Sequence, residues 1–192
     1  MRTIKVISTL ALAAACVLPA TVHAQRNASS VPFRGGQWGA EFSASNNFQS
    51  LGMMRFFSSR RALAFDAQLN NASTSIDGSD AETANTTYGL SVGYRMYRPL
   101  TSGVVGHLTG GLRANSNSTS ITNGAGVTTE NNTRGYGPFG EIGASYLVTS
   151  HLSLGAAYGL QYLMTSSKQG ATESSGHTMG STPLTVRVSL YF

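Results

Sequence analysis

The sequence predicts an all-β chain, built as an eight-stranded antiparallel up-and-down transmembrane β-barrel, and three observations carry that prediction. Charged residues make up only 11% of the 192 residues, and mean hydropathy is −0.06; soluble domains average ~25% charge. Apolar residues recur with period two in eight segments, the spacing of strands rather than helices. The connections between those segments alternate between tight and long. The missing charge is replaced by 22 Gly and by Ser, Thr and Asn, not by Leu and Ile. After the first 24 residues no apolar run approaches the roughly 20 residues of a membrane helix. A helical membrane protein, a helical bundle and a charged disordered tail are excluded.

The N-terminus reads as a secretory signal over residues 1–24. Arg2 and Lys5 open it, Val6 to Ala20 form its apolar stretch, and Pro19 breaks that stretch. Val22-His23-Ala24 provides a small-residue cleavage site before Gln25. Cys16 is the only cysteine, so a chain cut after Ala24 has no thiol and no disulfide or cysteine nucleophile. With Arg2 and Lys5 removed from the 13 basic residues, 11 remain against 8 acidic ones, a net charge of +3. They form no run or lysine cluster, so neither nucleic-acid binding nor polybasic lipid binding is supported. Residues 25–37 read as a polar lead, and 38–192 as the barrel.

The segments follow in order. The first has Trp38, Ala40, Phe42 and Ala44 on one face, and the second spans Leu51 to Phe57. The third uses Leu63, Phe65, Ala67 and Leu69; the fourth Tyr88, Leu90, Val92, Tyr94 and Met96. The fifth alternates from Val104 to Leu112, the sixth from Tyr136 to Tyr146, the seventh from Leu152 to Tyr162, and the eighth from Leu184 to Phe192. The opposite faces carry Glu41, Asp66, Arg95, His107, Arg113, Glu141 and Arg187. Arg55 is assigned to that polar face, which sends Met54 and Phe56 to the apolar one.

The tight connections are Ser58–Arg61, Arg98–Ser102 and Thr149–His151. The long ones are Asn70–Thr86, Ala114–Arg134 and Thr165–Thr182, read as mobile polar loops. Within Ala114–Thr133, 13 of 20 residues are Asn, Ser or Thr, too polar to bury apolar area. Short turns at one end and long polar connections at the other are the layout of a membrane barrel. Closing the sheet satisfies every backbone amide in hydrocarbon.

The expected facing is inverted relative to a soluble barrel. Four cations (Arg55, Arg95, Arg113, Arg187) against three carboxylates (Glu41, Asp66, Glu141) suit a paired interior, with His107 among them. Trp38, Tyr94, Tyr146 and Phe192 fall at the short-turn ends of the apolar faces. Tyr88, Tyr136 and Tyr162 fall at the long ends. Two aromatic girdles separated by aliphatic residues match the two interfaces of a bilayer.

The last nine residues, Leu184-Thr-Val-Arg-Val-Ser-Leu-Tyr-Phe192, alternate back from a terminal Phe. They resemble the C-terminal signal of bacterial outer-membrane barrels, in which Leu184, Val186, Val188, Leu190 and Phe192 would be read by the barrel-assembly machinery. The whole 38–192 region resembles the small eight-stranded barrels of the OmpA transmembrane-domain and OmpX type. That resemblance implies residence in the outer membrane among its lipids. With Phe192 as the last residue, the soluble peptidoglycan-binding domain of longer relatives is expected to be missing.

Catalytic and metal-binding signals are weak. His151-Leu152-Ser153 resembles the His-x-Ser of outer-membrane lipid A deacylases, but Leu154 stands where those enzymes carry Asn. His107 is placed to pair with Glu141 or Asp66. His177 lacks a second ligand nearby in sequence, and Asp77, Asp80 and Glu82 read as a solvated acidic cluster rather than a Ca²⁺ site. No cofactor and no metal are expected. The function expected is a non-enzymatic barrel presenting polar loops to an unidentified extracellular partner. The alternatives are a narrow channel or solute-binding barrel and, after it, a lipid-modifying enzyme.

Overall fold

The structure, a computed structural model, describes residues 31–45, 48–75, 82–123, 127–169 and 172–192. The leader read over residues 1–24 lies outside them, as do Asp77 and Asp80. Eight strands follow in chain order: β1 Trp38–Ala44, β2 Gln49–Ser58, β3 Arg61–Ser75, β4 Glu82–Thr101, β5 Val104–Thr122, β6 Thr128–Leu147, β7 Leu152–Gln169 and β8 Thr172–Tyr191. Each pairs antiparallel with the next, and β1 pairs with β8 from Gly39↔Tyr191 to Ala44↔Val186, closing the ring. Closure leaves no sheet edge at membrane depth, which hydrocarbon demands.

Seven of the eight strands face as their periodicity dictates. Phe42, Phe65, Leu90, Leu112 and Ile142 are exposed on the outside, Leu90 at 67%. Glu41, Arg95, Arg113, Glu141 and Arg187 are buried within. Water would not stabilise such an exterior; acyl chains do.

β2 is the exception. Gly52, Met54 and Phe56 point inward, while Leu51, Met53 and Phe57 point out with Arg55 between them in phase. The expected facing of Arg55 is therefore reversed. The reason is that β2 is apolar at consecutive positions, so period two does not orient it. At Met54 and Phe56 its inner side meets an apolar plug, and Met54 also touches Arg95 just above it.

The long connections are also different from expectation. Most of their length is strand: β3 runs to Ser75, β4 starts at Glu82, β5 runs to Thr122 and β6 starts at Thr128. The ladder is continuous through them, from Asn70↔Thr87 to Ser75↔Glu82 and from Asn115↔Gly135 to Thr122↔Thr128. Thr, Ser and Asn cannot build an apolar core, but cross-strand backbone pairing requires none, and Thr favours strands. A strand as long as β4, 20 residues, greatly exceeds the ~9–11 residues that cross a bilayer. Six strands thus rise above the membrane as a polar wall, while β1 and β2 stop at 7 and 10 residues.

Two inward glycines illustrate separate needs. A Cβ on Gly93 would lie 2.9 Å from Thr109 Cγ2 and 3.1 Å from Phe139 Cζ, so its absence leaves room for side chains crossing the bore. A Cβ on Gly111 would collide with the Val92 carbonyl oxygen, so its absence permits close backbone approach and tight curvature.

Candidate functional site in the barrel lumen

The lumen has two storeys. At the short-turn end it is apolar. The chain before β1 turns at Arg34–Gln37, where Gln37 N–H donates to the Arg34 carbonyl at 3.2 Å and Gly36 adopts φ +85. That turn folds Val31 and Phe33 back into the bore, where both are buried. The Phe33 ring centroid lies 4.6 Å from Phe56, 4.8 Å from Tyr97 and 4.8 Å from Tyr191. Met54, Ala62 and Val105 complete the plug. The lead expected to be polar thus ends in an apolar stopper.

Above the plug lies an ion-pair chain built from five strands. Arg95 of β4 donates to both oxygens of Glu41 on β1, at 2.7 Å and 3.0 Å, and its Nε donates to Thr109 at 3.0 Å. Ser189 donates to Glu41 Oε2 at 3.2 Å, and Arg187 Nη1 of β8 stands 3.6 Å from Oε1. Arg187 Nη2 donates to Glu141 of β6 at 2.8 Å. Arg113 of β5 reaches Glu141 at 3.4 Å and Gln161 at 3.1 Å, and packs over Phe139 at 4.7 Å. Arg95, Glu41, Arg187, Glu141 and Arg113 therefore form one line across the bore. Buried ions persist when paired in this way.

The remaining expected lumen residues sit beside that line. Asp66 faces inward, and its Oδ1 accepts no hydrogen bond. A gap of about 10 Å³ beside it is also bordered by Arg95, Arg113 and Glu141, room for about one water. His107 is buried but does not pair with Glu141 or Asp66; both ring nitrogens lack partners, and its ring lies 5.9 Å from Tyr97. Arg55 is outside the lumen altogether, its guanidinium 4.7 Å above the Trp38 ring. Trp38, Tyr88, Tyr94, Tyr136, Tyr146, Tyr162 and Phe192 are all exposed on the outer face.

Sequence reasoning missed the plug. Tyr97 and Tyr191 lie in phase with the polar faces of their strands, and an aromatic in that phase at the short-turn end was the available signal.

The enzyme-like constellations do not assemble. Ser153 is buried and hydrogen-bonded to the Tyr191 hydroxyl at 2.9 Å, whereas His151 is exposed with Nδ1 2.8 Å from Ser150 Oγ. His177 stacks on Tyr162 with centroids 6.0 Å apart. Among the described residues no three His, Cys, Asp or Glu side chains gather as metal ligands.

A closed eight-stranded barrel with an apolar exterior and an ionic interior defines a bacterial outer-membrane protein. The chain belongs to the family of the outer membrane protein beta-barrel domain, whose model matches residues 8–192, and its place is the cell outer membrane. No curated protein matches the sequence. Among solved structures, a major outer membrane protein from Thermus thermophilus superposes with TM-score 0.58 at 12% identity, covering 81% of this chain and 98% of that one. The N-terminal β-barrel domain of Pseudomonas aeruginosa OprF gives TM-score 0.44 at 11% identity, over 81% of this chain and 96% of that one. At such identities the likeness to the Thermus barrel shows the fold alone.

Proposed function

We propose that this chain is a non-enzymatic barrel whose sealed span holds a polar wall of hairpins at the cell surface, where they meet an extracellular partner. The observation that carries this reading is the double closure of the lumen. The Phe33 plug blocks one storey, and the line from Arg95 to Arg113 crosses the other. Function on segments held by a rigid scaffold is the usual arrangement, and the strands beyond the bilayer are the segments available. The final strand supports a further element of the reading. Leu184, Val186, Leu190 and Phe192 are exposed on its outer face, available to the barrel-assembly machinery and then to outer-membrane lipids.

Planar-bilayer recording tests the closure. The purified barrel should leave the membrane electrically silent. Sustained ohmic conductance that changes in Arg95→Gln or Glu141→Gln would replace this reading with the narrow channel.

A further inference from the structure

The arginines outside the lumen gather at one place on the barrel. Arg55, Arg61 and Arg98 each lie within a few residues of a short turn, on the neighbouring strands β2, β3 and β4. All three share the outer face. Arg55 pairs with Leu63, Arg61 is two residues from Leu63 and pairs with Met96, and Arg98 is two residues from Met96. Residues two apart on a strand share a face, so the three form a slanted row. Arg34 and Arg60 are exposed at the same end, and the Arg60 carbonyl accepts the Tyr97 N–H at 2.8 Å.

Among the described residues no Asp or Glu side chain stands beside this row. Glu41, Asp66 and Glu141 face the lumen, and Glu82, Glu130 and Glu173 lie at the long-hairpin ends of β4, β6 and β8. Among the described residues, none of these five arginines makes an ion pair. Short turns face the periplasm in barrels of this kind. The row therefore stands at the headgroup level of the inner leaflet, which is glycerophospholipid.

A second observation lies further along the same outer face. The stripes that end in these arginines continue toward the far side as Met53 and Leu51 next to Arg55, as Phe65 and Ala67 beyond Leu63, and as Val92 and Leu90 beyond Met96 and Tyr94. They line an apolar groove of about 880 Å³ on the barrel exterior, bounded by Trp38 and Tyr136. Trp38 joins the two features, since it borders the groove and carries the Arg55 guanidinium over its ring.

We propose that the outer face of β2–β4 is a binding site for an anionic glycerophospholipid of the inner leaflet, its phosphate held by Arg55, Arg61 and Arg98 and an acyl chain laid in the groove above them. Guanidinium groups recognise phosphate oxygens bidentately. The zwitterionic headgroup of phosphatidylethanolamine brings its own ammonium to the site and competes poorly.

Trp38 is the sole tryptophan and serves as the probe. The full chain is reconstituted in bilayers, and its fluorescence is quenched by phosphatidylglycerol or phosphatidylethanolamine carrying brominated acyl chains. Phosphatidylglycerol should bind about threefold to tenfold more tightly, as expected for a few interfacial cations. The double variant Arg61→Gln/Arg98→Gln leaves the Arg55–Trp38 stack in place and should bring that ratio close to one. Arg134→Gln/Lys168→Gln, at the opposite end, should leave it unchanged. Heat-modifiable mobility confirms that each variant is folded, and the single variants Arg61→Gln and Arg98→Gln stand in where the double one is not. Equal quenching by both lipids in the native chain, or an undiminished preference in the folded variants, overturns the proposal. Displacement of the brominated lipid by inorganic phosphate would show a site for phosphate alone and would overturn it too.

Discussion

Glu41 is the acceptor on which the lumen line depends, and Glu41→Ala is the sharpest perturbation of it. The substitution removes two charge-assisted hydrogen bonds from Arg95, one hydroxyl bond from Ser189 and the 3.6 Å contact with Arg187. Arg187 keeps Glu141 at 2.8 Å, so the stranded ion is Arg95, which is 3% exposed and left with Thr109 as its hydrogen-bonding oxygen. Leaving one member of a buried pair uncompensated costs about 3–5 kcal/mol. The double variant Glu41→Met/Arg95→Met removes both charges and refills the space, and exchanges of that kind are often neutral or stabilising by about 1–4 kcal/mol. Urea unfolding in detergent micelles, followed by the fluorescence of Trp38, measures both. The single variant should show that cost, and the double should recover most of it, a coupling that a double-mutant cycle isolates. If Glu41→Ala unfolds within about 1 kcal/mol of the native chain, or if the double variant is as weak as the single, the pair does not hold the lumen as argued.

The plug and the curvature give two further expectations. Phe33→Ala should cost about 3–5 kcal/mol in the same assay, whereas Phe33→Leu, which refills the site in part, should cost clearly less; an unchanged midpoint in Phe33→Ala would show that the plug is not seated. Gly137→Ala drives a Cβ into the Tyr162 carbonyl oxygen, while Gly110→Ala meets nothing within 4 Å. The first should lose the heat-modifiable band of an assembled barrel and the second should keep it.

Much of the barrel is legible in the sequence because its physics is local. Alternation places every other side chain on the same face, so Glu41, Arg95, Arg113, Glu141 and Arg187 declare themselves as an inward set once their neighbours Phe42, Tyr94, Leu112, Ile142 and Val188 are given to lipid. The same rule places Trp38, Tyr88 and Phe192 outside. What alternation does not encode is which strand completes which contact. That Glu41 takes Arg95 and Arg187 while Glu141 takes Arg187 and Arg113 follows from the order of strands around the closed ring.

Three other features were decided only by tertiary structure. The facing of β2 depends on what lies behind it, and Met54 and Phe56 turn inward because Phe33 arrives there from outside the sheet. The polar hairpins are strands because their backbones find partners across the wall, a gain invisible in side-chain hydropathy. The arginine row is scattered over 44 positions of the chain, from Arg55 to Arg98, and becomes a cluster only when antiparallel pairing brings three strand ends side by side. Local periodicity determines which way a side chain points; closure of the ring determines what it meets.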